Sequence, residues 1–253
     1  MAALAAFVQA DDSDVSRDGA DLNLVMFVNG PALSTPSKNL NLTVDSSESF
    51  KYENRITPLG QRQQYLIGSE LRQRYVFEAG LLSADYVISQ LYLQAPFVAK
   101  NILSMQALML GLYPETTAND LTDWQQENAV PPMAGADFST WQTELGAFAL
   151  PYGLQTFPIQ QTGFEADMML SLTNMNCQFY NDSMTPVQKD IEIQATQAIY
   201  LNFKDVYDMM EANDVSIGEL CTYLDWAYYQ SVDLQNAAEY EMVRTTTCAS
   251  YNN

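Results

Sequence analysis

Residues Leu22 to Val28 read LNLVMFV, an almost wholly apolar run. A run this short and this apolar predicts a central strand buried on both faces of a parallel sheet, because a strand with one wet face alternates apolar and polar side chains. The pattern downstream agrees. Thr57-Pro58 offers an N-cap with proline at the first helical position, and Leu59, Leu66, Ile67, Leu71 and Tyr75 recur at helical spacing, which predicts a helix to about Phe77. A second strand is expected near Val87 to Leu93. It feeds a helix from about Phe97 to Leu112 with Val98, Ile102, Met105, Leu108 and Met109 along one face. Strand, helix, strand, helix places residues 20–113 in the α/β class, as a parallel-sheet core flanked by helices.

Beyond Pro114 the pattern loosens into irregular stretches carrying Trp124, Trp141 and several prolines and glycines, and residues 114–236 read as a helix-rich cap inserted on that core. One cap helix is expected to open at Thr185-Pro186 and run to about Glu211. Another opens with the capping box Ser216-x-x-Glu219 and runs to about Asn236. Residues 237–253 then read as a return toward the core, and residues 1–19 as an N-terminal segment. Tyr180, Tyr200, Tyr207, Tyr223, Tyr228 and Tyr229, with Met168, Met169, Met209 and Met210, enrich the second half in large side chains. Packing between helices accounts for most of them, and a partner surface is the alternative.

Charge excludes whole classes of partner. A formal net charge of −20 with 11 Lys and Arg opposes binding to nucleic-acid backbones and anionic membranes, and attracts phosphorylated substrates poorly. No apolar run approaches the roughly 18 residues that span a bilayer. The first residues, MAALAAFVQA, resemble the end of a secretory signal without its basic start. With the sequons Asn41-Leu42-Thr43 and Asn181-Asp182-Ser183 they point to a secreted or endomembrane-lumenal glycoprotein. Cys177, Cys221 and Cys248 fit no metal spacing, and a chain with no histidine cannot build the usual Cys/His zinc site. They make either one disulfide plus a leftover thiol or three buried thiols. No cofactor is expected.

Three segments carry a family resemblance. Ile56 to Val76 (ITPLGQRQQYLIGSELRQRYV) resembles the signature helix of the histidine acid phosphatases, and Ile102 to Pro114 (ILSMQALMLGLYP) resembles the helix after their second strand. Leu150 to Ile159 (LPYGLQTFPI) is similar to a third stretch of that family, and Asn176-Cys177 falls where the family often has an Asn-Cys pair. The resemblance implies a histidine-phosphatase-like fold. It also implies that the first strand should end in Arg-His-Gly-x-Arg, the His attacking phosphorus and the Arg residues holding phosphate. Here the stretch is Val28-Asn29-Gly30-Pro31-Ala32. Asn29 stands at the nucleophile, and a side-chain amide cannot replace imidazole in covalent catalysis. Val28 and Ala32 stand at the two Arg positions and remove the charge-assisted forks that neutralise a phosphate.

The second strand tells the same story. The family continues it with Arg-Ser-Thr-Asp, and this chain has Gln94-Ala95-Pro96-Phe97; Gln64 and Gln160 stand where relatives often carry His. The family's late His-acid stretch, which protonates the leaving group, is expected beyond Asn253. The resemblance therefore implies a pseudophosphatase with vestigial positions Val28, Asn29, Ala32 and Gln94.

Three functions compete. The first is an assembly subunit joined to copies of itself or to other chains, with a sheet edge left open for a partner. The second is a binding module whose vacated phosphate pocket, lined by Asn29, Gln94 and Pro96, holds a neutral or cationic ligand. A deep pocket with Asn29 and Gln94 converging favours binding; one filled by Phe97 or Met26 favours assembly. The third is carboxylate chemistry, but Asp11-Asp12, Asp205 with Asp208 and Glu239 with Glu241 read as solvated faces, and no EF-hand spacing occurs.

Overall fold

The computed structural model describes residues 2–7, 22–44, 54–162 and 178–252. The fold class is α/β with a large helical part. The chain divides into two compact units: residues 1–32 with 61–163, and residues 33–60 with 164–253. These divisions fall at places other than 19/20, 113/114 and 236/237.

The first unit is built on a sheet of β1 (Ala2–Phe7), β2 (Leu24–Asn29), β3 (Tyr92–Pro96) and β4 (Ile159–Thr162), in the order β2-β1-β3-β4. β1 is antiparallel to both β2 and β3, and β3 is parallel to β4, so β2, β3 and β4 share one direction with β1 inserted against them. Residues 2–7, where the sequence resembles a secretory signal, thus run as a strand of the sheet. The expectation of a central, doubly buried strand at Leu22–Val28 is corrected. β2 lies at the sheet edge, and Leu24 (52%), Met26 (65%) and Val28 (48%) are exposed. An apolar run reports a strand but not what covers it. The second strand also begins later than expected, at Tyr92, after a short 3-10 turn at Ile88–Gln90.

Helices cover the other face. α1 (Pro58–Arg72) begins as the sequence predicts: the Thr57 hydroxyl accepts a hydrogen bond from the Gly60 amide at 3.0 Å. A π-helical turn, Gln73–Glu78, prolongs it. α2 (Ala99–Leu112) buries Met105, Leu108, Met109 and Leu112 against Leu71, Val76, Leu91 and Leu93, with Phe27 and Ile159 packed alongside. Two glycines let α1 and α2 touch backbone to backbone. A Cβ on Gly68 would sit 1.9 Å from the Leu108 carbonyl oxygen, and one on Gly111 2.0 Å from that of Tyr65. Arg72 donates to the carbonyls of Leu112 at 2.9 Å and Ala84 at 3.1 Å, tying off the end of α2. Leu66, placed on the apolar stripe by its spacing, faces solvent instead. The irregular stretch holds α3 (Asp123–Asn128), capped by a Thr122/Gln125 box, and α4 (Ser139–Leu145); Trp124 and Trp141 there are exposed at 71% and 62%.

The second unit is helical. α5 (Gln178–Asn202) contains Pro186 in its interior, so Thr185-Pro186 is not a helix start, and the chain breaks at Phe203 before α6 (Lys204–Asn213). α7 (Ile217–Tyr229) opens with the expected box, Ser216 Oγ accepting from the Glu219 amide and Glu219 Oε2 from the Ser216 amide, but ends well before Asn236. α8 (Ala237–Val243), a π-helical turn (Arg244–Cys248) and α9 (Ala249–Asn252) complete it. Its core gathers Ile199, Val206, Met210, Ile217, Leu220, Tyr223, Leu224, Trp226 and Val243, and in it Cys221 and Cys248 form a disulfide with Cα atoms 5.3 Å apart. Cys177 lies outside the described residues. Residues 40–44 strap this core by pairing with 233–235, and the Lys38 ammonium donates to the carbonyls of Asn213 and Asp214 at the end of α6. Among the described residues no helix is long and apolar enough to cross a membrane.

Candidate functional site

Ligands of open α/β sheets sit beyond the carboxyl ends of the parallel strands; Asn29 ends β2, whereas Gln94 is the middle residue of β3 and Gln160 the second residue of β4. Their register decides what they do together. Ala3 pairs with both Val28 and Gln94, and Gln94 pairs with Gln160, so Val28, Gln94 and Gln160 form one row on one face. Asn29, one residue on, belongs to the opposite face, the one on which Phe27, Leu93 and Ile159 meet the helices. Asn29 and Gln94 therefore do not converge.

Asn29 and Gln94 are each engaged on their own side. Asn29 Nδ2 donates to Oε1 of the buried Gln64 at 2.6 Å, joining the nucleophile position to a second position where the resembled family often has His. Gln94, 7% exposed, accepts from the Tyr92 hydroxyl at 3.2 Å. Ala32 is buried, and its amide donates to Ser104 Oγ at 2.9 Å, whose hydroxyl in turn donates to the Lys100 carbonyl at 2.6 Å. Val28 is 48% exposed at the edge of the face that also carries the buried Gln94. The two side chains proposed as plugs fill nothing, since Phe97 is 71% and Met26 65% exposed.

Sequence reasoning passed over the first turns of α2, which follow β3 and so reach this end of the sheet. Lys100 is half-buried, and burial holds its ammonium below the usual lysine range. Asn101 is buried, and its Oδ1 has no hydrogen-bond partner among the described residues. The signal available was position: residues just past a strand's carboxyl end in a strand-helix unit. Among the described residues no group of three or more His, Cys, Asp or Glu is placed to hold a metal ion. Three surface cavities of about 470 to 600 Å³ lie in the second unit between Ile191 and Tyr251, and neither Asn29 nor Gln94 lines them.

Two further expected sites have contrasting fates. Asn41 is exposed in a left-handed turn with φ of 54°, its amide accepted by Asn39 Oδ1 at 2.9 Å, while Thr43 of the same sequon is buried. Asn181 belongs to α5, and its side chain lies outside the described residues.

No protein-family model matches the chain. It is 28% identical over 78 residues to a Caenorhabditis elegans protein named as a putative acid phosphatase; the match covers 28% of this chain and 18% of that protein. The similarity is acid-phosphatase-like, and the chain spans less than a fifth of the length of the curated relative it matches.

Proposed function

We propose that this chain is a catalytically inactive, acid-phosphatase-like protein of the secretory pathway, and that it acts as a structural subunit in protein assembly. The observation that carries the reading is Asn29: it occupies the position the resemblance assigns to the attacking histidine, its amide is spent on Gln64, and the whole chain contains no histidine that another position might offer. Loss of one central catalytic residue costs about 10⁴ to 10⁶ in rate, and here the phosphate-binding Arg positions, Val28, Ala32 and Gln94, are altered as well.

Surface composition supports the second half. Leu24, Met26 and Val28 on β2, and Trp124 and Trp141 in the irregular stretch, are large apolar side chains left in water. The exposed Asn41 supports glycosylation in a secretory compartment. A ligand in the vacated pocket is the weaker reading, because Asn29 and Gln94 face opposite sides of the sheet. The test is the native mass of the purified protein by light scattering, with and without reductant. The proposal expects a species larger than 28.4 kDa. A monomer under every condition, with no partner chain bound, would contradict it.

A further inference from the structure

β2 and β4 are the two edge strands of the described sheet, and β2 (LVMFVN) is the longer and more apolar of them. Among the described residues no strand pairs with the outer edge of β2, and Leu24, Met26 and Val28 stand exposed on one face. Natural proteins blunt such edges with charge, proline, a bulge or a covering segment. Among the described residues β2 has none of these: LVMFVN carries no charge and no proline, and its six residues pair with β1 in unbroken register. It has the composition of a segment that seeks another strand.

We propose that this edge pairs with the same strand of a second copy of the chain, antiparallel about a two-fold axis at Met26. The inference rests on the assembly reading above and names its partner. Two features select a second copy over a charged partner. First, in a chain of net charge −20, the stretch from Leu22 to Ser37 contains no Asp, Glu, Lys or Arg. It is a neutral window through which two strongly acidic molecules meet without bringing like charges together, whereas a basic partner would gain nothing there. Second, the strand is self-complementary. A two-fold pairing centred on Met26 sets Met26 beside Met26 and Leu24 beside Val28, apolar against apolar in every exposed pair. The two four-stranded sheets then become one continuous sheet.

Because the facing strands are neutral and the rest of the molecule repels its copy, association should strengthen as salt rises. Docking driven by a cationic partner would weaken. The test uses sedimentation of the full chain and of two variants, Met26→Lys and Met26→Glu. Each variant sets like charges directly opposite across the two-fold and should raise the dimer dissociation constant by about tenfold or more. An equimolar mixture of the two should restore association, which a merely misfolded variant could not do. Phe97→Ser, at an exposed site away from the edge, should leave it unchanged. Hydrogen exchange should show β2 amides gaining protection as concentration rises.

A wild-type dimer that both Met26 variants retain would overturn the edge pairing while leaving assembly standing. A wild-type chain that stays monomeric across the micromolar range at high salt would overturn the second copy as partner. Phosphatase turnover, measured separately, would sink the non-catalytic reading whatever the mass.

Discussion

Substituting alanine for Gly68 or Gly111 should weaken the first unit through a single cause. The added Cβ meets a backbone carbonyl oxygen at 1.9 Å in one case and 2.0 Å in the other. Ordinary carbon–oxygen contacts start near 3.3 Å, so α1 and α2 must part by roughly 1.3 Å at their crossing. Neither helix backbone can rotate aside as a side chain does. Over-packing of this kind costs about 3 kcal/mol, and alanine's better helix propensity returns about 1 kcal/mol, for a net loss of roughly 2 kcal/mol. In a chain of this size that is a fall in Tm of about 4–8 °C. Because both substitutions push the same helices apart, the double variant should lose less than the sum of the singles. Thermal and urea unfolding followed by circular dichroism measure this. Gly218→Ala in α7 is the control: its Cβ meets the far end of the Tyr251 side chain, the hydroxyl at 3.3 Å and ring carbons at 3.8 and 3.9 Å, and stability should hold or rise slightly. If Gly68→Ala and Gly111→Ala melt with the wild type while Gly218→Ala behaves as expected, the close crossing is wrong.

Tyr113 gives a pH-dependent prediction. Its hydroxyl is buried without a hydrogen-bond partner among the described residues, and burial pushes its pKa up to about 12. The folded-state value lies above the unfolded one, so its contribution is intact below about pH 10 and is lost as pH climbs toward 12. Tyr113→Phe should match or exceed wild-type stability at pH 7 by about 1 kcal/mol and flatten the alkaline decline between pH 10 and 12, as read by urea midpoints; a loss at pH 7 would reveal a partner for the hydroxyl. Reduction of Cys221–Cys248, which closes a separation of 27 residues, should cost roughly 3 to 4 kcal/mol and appear as a lower Tm with reductant. An unchanged melt would argue against that disulfide as a constraint on folding.

Local chemistry was legible and long-range coverage was not. The caps at Thr57 and Ser216 were readable because each is a side chain bonding the amide three residues on, written entirely within a few positions. The buried stripe of α2 was readable for the same reason. β2 was misjudged as central because an apolar strand looks the same whether or not a neighbour arrives. Thr185-Pro186 carries a true start signal, yet α5 begins at Gln178 and runs through the proline at the cost of one backbone hydrogen bond. At the candidate site, the letters show that the chain has no histidine and that Val28, Asn29, Ala32 and Gln94 stand where the resemblance implies Arg and His. The separation of Asn29 from Gln94 was not visible in them, since faces follow from pairing with Ala2 and Ala3 and a shift of one residue reverses them. Gly68 and Gly111 left a clue that went unused: glycine inside a helix costs about 1 kcal/mol and asks for a packing reason.

The most direct test of the central claim is steady-state hydrolysis of p-nitrophenyl phosphate from acid to neutral pH, by the purified wild-type chain and by Asn29→His. The account predicts no turnover above the uncatalysed rate for either, because the histidine alone does not restore the arginines. Robust hydrolysis by the wild type would refute the loss of catalysis. Robust hydrolysis by Asn29→His alone would show that the rest of the pocket is still a working phosphatase site.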